Sequence, residues 1–282
     1  MKILCNEKSQ VLAAKTAKCT GLELAATEFK KFPDGELYIK TGKTDDETIL
    51  ISSFNDSDSF IQTLLMIDAC ENSEVTLVIP YMGYARQDKK FNDGESISAR
   101  AIARALSDGV KKVYTINNHE KDNLKHFRVP AEDLTLAPYI GKYIETLGLD
   151  DPLILAPDAG AADFAADVAR GLNFDCDHLQ KTRHSGTEVT MQPKELDANG
   201  RCVVIVDDII STGGTLATAS GMLKAQGAVS VHAACVHGVF ASGGYARLSA
   251  GGLSSVASSD TIESASSVIT AAECIKNALF KN

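Results

Sequence analysis

No CxxC pair occurs among the seven cysteines, which lie far apart at Cys5, Cys19, Cys70, Cys176, Cys202, Cys235 and Cys274. An odd, scattered set argues against a structural zinc site and against a disulfide framework. The thiols read instead as small core residues of a reducing compartment. No segment offers the ~18 unbroken apolar residues of a membrane span. The opening "MKILCNEKSQ" holds too short an apolar run for a signal peptide. A soluble cytoplasmic protein with no membrane partner is expected. Positive charge is also short. Lys and Arg number 28 against 37 Asp and Glu, a net charge of -9, which argues against a nucleic-acid binder. A phosphorylated ligand would have to be held by amide nests, local basic side chains or metal. The nucleotide-binding pattern GxxxxGK[ST] is absent as well.

What is present is alternation. Short apolar runs at 48–54, 74–82, 111–117, 152–157, 201–208 and 230–239 read as buried strands. Stretches of helical period lie between them at 59–72, 96–109, 137–148, 162–173 and 215–228. Glycine follows several of these helices, in "DGV", "RGL" and "QGA", where a left-handed C-cap is wanted. Strand–helix alternation predicts an α/β protein of mainly parallel sheets flanked by helices. The pattern occurs twice, without a residue-level repeat. The expected domains are 1–147 and 148–282. A last helix over about 266–282 has an apolar face at Val268, Ile269, Ala272, Ile275, Ala278 and Leu279. Either half could receive it, the N-terminal one included.

Ligands of open α/β sheets bind outside the carboxyl ends of the strands. There the chain is polar: "GYARQDKK" after 74–82, "NHEKD" after 111–117, "DAG" after 152–157 and "DDIISTGGT" after 201–206. The last of these combines opposites. Ser211, Thr212, Gly213, Gly214 and Thr215 can curl their amides and hydroxyls around a phosphate at the start of a helix near Gly214 or Thr215. Asp207 and Asp208 would repel that phosphate, yet carboxylates accept hydrogen bonds from a vicinal diol. Ribose 5-phosphate carries both groups.

"VVIVDDIISTGGT" resembles the phosphoribosyl-pyrophosphate loop of the phosphoribosyltransferase fold, which many families share. "KFPDGELYIK" (31–40), "PYMGYARQDKKFNDGESISAR" (80–100), "LAPDAGAADFA" (155–165) and "LQKTR" (179–183) narrow the match. Together with the loop, and in this order, they resemble ribose-phosphate pyrophosphokinase, closest to its archaeal-type short forms. The resemblance implies two phosphoribosyltransferase-like domains. It also implies transfer of a diphosphoryl group from ATP to the 1-hydroxyl of ribose 5-phosphate, with Mg²⁺ as cofactor and AMP as product.

The same resemblance distributes roles. Phe32, Asp34, Gly35 and Glu36 would form an adenine-binding loop that serves a neighbouring subunit, implying a homo-oligomer of at least two chains. Read alone, "PDG" is only a turn leading into an edge strand. Arg86 and Gln87 would meet ATP, since arginine grips phosphate oxygens through paired donors. Lys89 and Lys90 could assist, or could be a solvated charge run. His119 would bind metal beside ATP. Asp158 would serve a second magnesium and the ribose, and as a helix N-cap it has a compatible structural role. Lys181 and Arg183 would be the catalytic pair, on a polar flap that closes over the transferring group. Arg183 would also meet the sugar phosphate. No general base stands out among Asp207, Asp208 and a metal-bound hydroxide.

Three features depart from the family pattern. Ser211 stands where many members carry an acid, "NNHE" replaces a "DLH" type, and the chain is short. Regulation by phosphate or ADP is therefore not carried over. A nucleobase phosphoribosyltransferase and a non-catalytic phosphoribosyl-binding regulator are the competing functions.

Overall fold

The computed structural model describes residues 1–183, 189–193 and 196–281, with only the backbone of 181–183 and 189–192. The chain divides into two units. The first comprises Met1–Thr135, Asp260–Glu263 and Thr270–Asn282, and the second Leu136–Ser259 and Ser264–Ile269.

The first unit contains β1 (Lys2–Cys5), α1 (Gln10–Thr20), β2 (Glu23–Leu24), β3 (Thr27–Lys31), β4 (Leu37–Thr41), β5 (Glu47–Ile51), α2 (Ser57–Asp68), β6 (Glu74–Ile79), α3 (Ser98–Ala105), β7 (Val110–Ile116) and β8 (Ala131–Leu134). Its main sheet is parallel, in the order β2-β1-β5-β6-β7-β8. Leu4, Leu50, Leu77 and Val113 are register partners across four strands and form one buried row. Met66 and Ile67 of α2, Ala103 of α3 and Leu106 complete that core. Strands β3 and β4 form a separate antiparallel hairpin.

The second unit contains α4 (Ala137–Thr146), β9 (Pro152–Ala156), α5 (Ala162–Ala169), β10 (Asp175–Arg183), β11 (Val189–Pro193), β12 (Cys202–Ile210), α6 (Gly214–Ala225), β13 (Ser230–Gly238), α7 (Gly244–Ala250), β14 (Ser255–Ser259) and β15 (Ser267–Ile269). The sheet order is β11-β10-β9-β12-β13-β14-β15, parallel except for β10 with β11. Leu155, Ile205 and Ala233 make the buried row here, under Leu216 and Leu223 of α6 and Leu248 of α7.

The repeat that residues do not show is plain in topology. Strand order β2-β1-β5-β6-β7-β8 maps term by term onto β10-β9-β12-β13-β14-β15. In each unit an antiparallel element is inserted before the third sheet strand. The helix that follows each sheet belongs to the other unit. After β8 the chain enters α4, which packs on α5, and after β15 it enters α8 (Ala272–Leu279), which packs on α1.

The last segment differs from the expected single helix. Ser267–Ile269 pairs with β14 as an edge strand, with Ile269 buried and Val268 exposed, and the helix starts only at Ala272. Its face of Ala272, Cys274, Ile275 and Ala278 is buried. Gly109, Gly171 and Gly227 take the left-handed conformation after α3, α5 and α6. No helix among the described residues is long and apolar enough to cross a membrane.

Candidate functional site

In the second unit β9 and β12 are neighbours from which the connections diverge, one to β10 and the other through α6 to β13. Such a switch point leaves a crevice at the carboxyl ends of the two strands. Asp158 stands just beyond β9. Its Oδ1 accepts the Gly160 and Ala161 N–H groups at 2.8 and 3.3 Å, so it caps the turn and remains exposed.

Strand β12 does not end at Val206 as the apolar run suggests. Its pairing with β9 stops at Ile205, while pairing with β13 continues through Asp207, Ile209 and Ile210. Asp207 and Asp208 thus lie on regular backbone along an edge that β9 has vacated. Asp207 Oδ1 accepts the Asp208 N–H at 2.9 Å, and Asp208 Oδ1 accepts the Ile209 N–H at 2.7 Å. Burial, and then the Asp208 charge, push the Asp207 carboxyl up to about 8, and Asp158 adds to the effect. Two carboxylates are thus concentrated at this strand edge, with the charge of Asp158 acting on them.

The glycine half of the loop is open. Gly213 is the N-cap of α6 with φ 69°, and no side chain caps that helix. A Cβ at Gly213 would come within 2.8 Å of Leu248 Cγ, so conformation and packing both demand glycine there. Gly214 is different: a Cβ there would meet nothing within 4 Å. The equivalent helix of the first unit, α2, is closed. Asp56 Oδ1 accepts the Ser59 N–H at 2.8 Å in a capping box. In α2 a carboxylate of the chain itself takes the capping place that no side chain takes at α6.

Lys181 and Arg183 lie within β10, not in a loop. Leu179–Arg183 pairs antiparallel with Val189–Pro193, so the expected flap is built as a hairpin. Edge position and polar sequence hide these strands from a search for apolar runs. The side chains of Lys181 and Arg183 and the tip at 184–188 lie outside the described residues.

In the first unit Phe32, Asp34, Gly35 and Glu36 form the exposed tip of the β3–β4 hairpin. The Phe32 N–H donates to Glu36 O at 2.8 Å, and Gly35 turns with φ 97°. The Phe32 ring, 50% exposed, stands edge-on to Tyr38 at 5.9 Å. Phe32 is therefore a rigidly presented aromatic that the first unit leaves in solvent.

Arg86, Gln87, Lys89 and Lys90 follow β6 in a segment without regular structure, and Arg86 is exposed. Glu95 organises this segment. It accepts the Phe91 and Asn92 N–H groups at 2.7 and 3.1 Å, the Asn92 side chain at 2.6 Å and Gln87 Nε2 at 3.3 Å. The Asn92 amide and these N–H donors hold the Glu95 carboxyl below its usual range. Gln87 thus points into its own loop. Lys89 lies over the Phe91 ring.

His119 is exposed beyond β7, and its neighbour Asn118 ties the turn to β8 and to the Arg86 segment. The Asn118 N–H donates to Asp133 Oδ1 at 3.0 Å, and Thr115 Oγ1 donates to the same oxygen at 2.6 Å. Asn123 Nδ2 donates to Asn118 Oδ1 and to Ala85 O, at 3.1 and 3.0 Å. The strand ends carrying Arg86 and His119 are therefore stitched together. Burial pushes the Asp133 carboxyl up despite its two donors. Glu95 and Asp133 are both absent from the residues singled out by sequence. "DGE" offers a weak turn signal for the first, and nothing local marks the second.

Among the described residues no three His, Cys, Asp or Glu side chains converge into a metal-binding group. Asp158, exposed beyond the carboxyl end of β9, offers the kind of oxygen donor that Mg²⁺ takes beside its waters and substrate phosphates.

Residues 1–108 match the N-terminal domain of ribose phosphate pyrophosphokinase, and residues 129–253 match the phosphoribosyl transferase domain. The chain is 49% identical to ribose-phosphate pyrophosphokinase from Methanosarcina acetivorans, over 99% of each chain. It is 39% identical to ribose-phosphate pyrophosphokinase 2 from Archaeoglobus fulgidus, over 98% of each. The crystal structure of phosphoribosylpyrophosphate synthetase from Mycobacterium smegmatis superposes with a TM-score of 0.85 at 25% identity, covering 99% of this chain and 97% of that one. With both family models matched in order and a 49% identical relative aligned over 99% of the chain, the chain belongs to the ribose-phosphate pyrophosphokinase family.

Proposed function

We propose that this chain makes 5-phospho-α-D-ribose 1-diphosphate from ATP and ribose 5-phosphate. One observation carries the reading. An open sugar-phosphate loop in the second unit shares its chain with a first unit that matches the N-terminal domain of the pyrophosphokinases. A nucleobase phosphoribosyltransferase needs the loop but has no use for a nucleotide-holding first unit.

In the reaction the 1-hydroxyl oxygen of the sugar bonds to the β-phosphorus of ATP. The bond from that phosphorus to the α,β-bridging oxygen breaks, AMP leaves with the oxygen, and the hydroxyl proton is released. Such transfer is mostly positioning and electrostatics. Asp207 and Asp208 accept the 2- and 3-hydroxyls, and Ser211, Thr212, Gly213, Gly214 and Thr215 take the 5-phosphate. Arg86, with Lys89, holds ATP phosphates, and Gln87 keeps their loop in shape. Phe32, Asp34, Gly35 and Glu36 take the adenine of a neighbouring copy, which makes the working enzyme a homo-oligomer. Lys181 and Arg183 bring positive charge to the transferring group from the β10–β11 hairpin. His119 and Asp158 would hold Mg²⁺, which when bound supplies neutralisation of the phosphate charge. The seven free thiols suit a cytoplasmic setting.

The test is AMP formation from ATP that depends on ribose 5-phosphate and Mg²⁺. Pyrophosphate release that needs a nucleobase and no ATP would replace this reading with the transferase. Lys181→Ala is expected to cut turnover by roughly 100-fold or more while ribose 5-phosphate affinity, read by calorimetry, stays nearly unchanged.

A further inference from the structure

The sugar-phosphate loop contains no basic residue, yet it lies beside Asp207, Asp208 and the charge of Asp158. We infer that Arg247, on α7 and outside the loop, is the residue that positions this cradle. The inference rests on the reading of Ser211–Thr215 as the 5-phosphate site.

The geometry is specific. Arg247 Nη1 donates to the Thr212 carbonyl, and Nη2 donates to the Ser242 carbonyl at 3.2 Å. In a planar trans peptide the carbonyl and the following N–H point in opposite directions. Fixing Thr212 O towards Arg247 therefore turns the Gly213 N–H away from α7. That N–H has no acceptor among the described residues. The Gly214 and Thr215 amides, in the first turn of α6, likewise have no partner within their helix. One guanidinium thus fixes the orientation of the first of these amides and places a positive charge against the loop.

Packing holds the same arrangement. A Cβ at Gly244 would come within 2.7 Å of Ser211 O, as one at Gly213 would come within 2.8 Å of Leu248 Cγ. The loop and the first turn of α7 leave no room for other side chains between them. The segment that delivers α7 is itself constrained, because Phe240, Ser242 and Gly243 all have positive φ. Arg247 ties its Ser242 carbonyl to the loop with the second half of the same fork.

The distinguishing experiment compares wild type with Arg247→Met and Arg247→Lys. Calorimetry uses ribose 5-phosphate and, separately, inorganic phosphate as probes, alongside steady-state kinetics. In Arg247→Met the KM for ribose 5-phosphate is expected to rise roughly 10-fold or more, with the KM for ATP and kcat at saturation nearly unchanged. Added methylguanidinium should restore part of the loss. Arg247→Lys should fall between, since it keeps the charge and loses the fork. An unchanged KM for the sugar in Arg247→Met overturns the inference. So does a uniform loss of both affinities and turnover with the melting temperature, which marks a merely structural role. Wild type that binds neither probe overturns the loop assignment as well. Wild type that binds, with a Met variant that binds equally, overturns the role of Arg247 alone.

Discussion

At the scale of single residues, the acid pair of β12 sets the pH behaviour. The raised Asp207 carboxyl lets the folded chain keep a proton up to about pH 8, whereas the unfolded chain releases it near the ordinary value of 3.8. The folded state then binds more protons between these values, so this group costs stability progressively as pH rises through that window. Asp207→Asn should reduce the slope, leaving the part that the raised Asp133 and Glu263 carboxyls contribute. Urea unfolding is expected to show the variant gaining on wild type at pH 9 and differing little at pH 4. Its affinity for ribose 5-phosphate at pH 9, where the wild-type carboxyl is ionised, should nevertheless drop, because an amide is a weaker acceptor for the diol than a carboxylate. Equal unfolding curves for both proteins across this range would contradict the burial argument. The sequence alone pairs Asp207 with Asp208. Only the fold shows that β9 stops short beside them while β13 continues past Asp207.

At the scale of elements, loops matter through what fastens them. The 87–95 segment is gathered around Glu95, whose lowered pKa follows from its Asn92, Phe91 and Gln87 donors. Glu95→Ala should release the segment and raise the KM for ATP several-fold, while calorimetry finds ribose 5-phosphate affinity unaltered. A change in the sugar affinity instead would misplace this loop. Helix starts show the same logic with the opposite outcome. Helix α2 is sealed by Asp56 and Ser59, and α6 is left open by Gly213. Both are legible as sequence, since "DSDS" is a capping pattern and "TGGT" is not. Strands β10 and β11 are not legible, because an edge hairpin rich in polar residues carries no buried run. Asp133 was equally hidden, since its partners Thr115 and Asn118 come from another strand.

At the scale of the whole chain, the exchange of helices α4 and α8 makes each unit depend on residues distant in sequence. Tyr114 Oη donates to Ala278 O at 3.0 Å, Lys281 pairs with Glu132 at 2.7 Å, and Asp260 binds Lys15 at 2.8 Å. Glu263 Oε1 accepts the Leu12 N–H at 2.9 Å at the start of α1. The C-terminal residues are therefore part of the first unit's core. Ile275, fully buried, tests this. Ile275→Ala should cost about 2–5 kcal/mol, with hydrogen exchange accelerating in α1 and β7. Faster exchange confined to β13 and β14 would show that α8 serves the second unit instead.

The sequence by itself determined the α/β class, the twofold recurrence of strand and helix, and the ribose-phosphate loop. Each of these depends on residues close together: apolar period, turn chemistry and a nine-residue motif. Tertiary structure alone decided where the chain crosses back at Asp260 and Thr270, and that β12 runs on past its apolar core. It alone brought Arg247 to the Thr212 carbonyl and Asp133 to Thr115 and Asn118. These depend on pairing between strands and on hydrogen bonds across long separations, for which one local pattern is compatible with many partners.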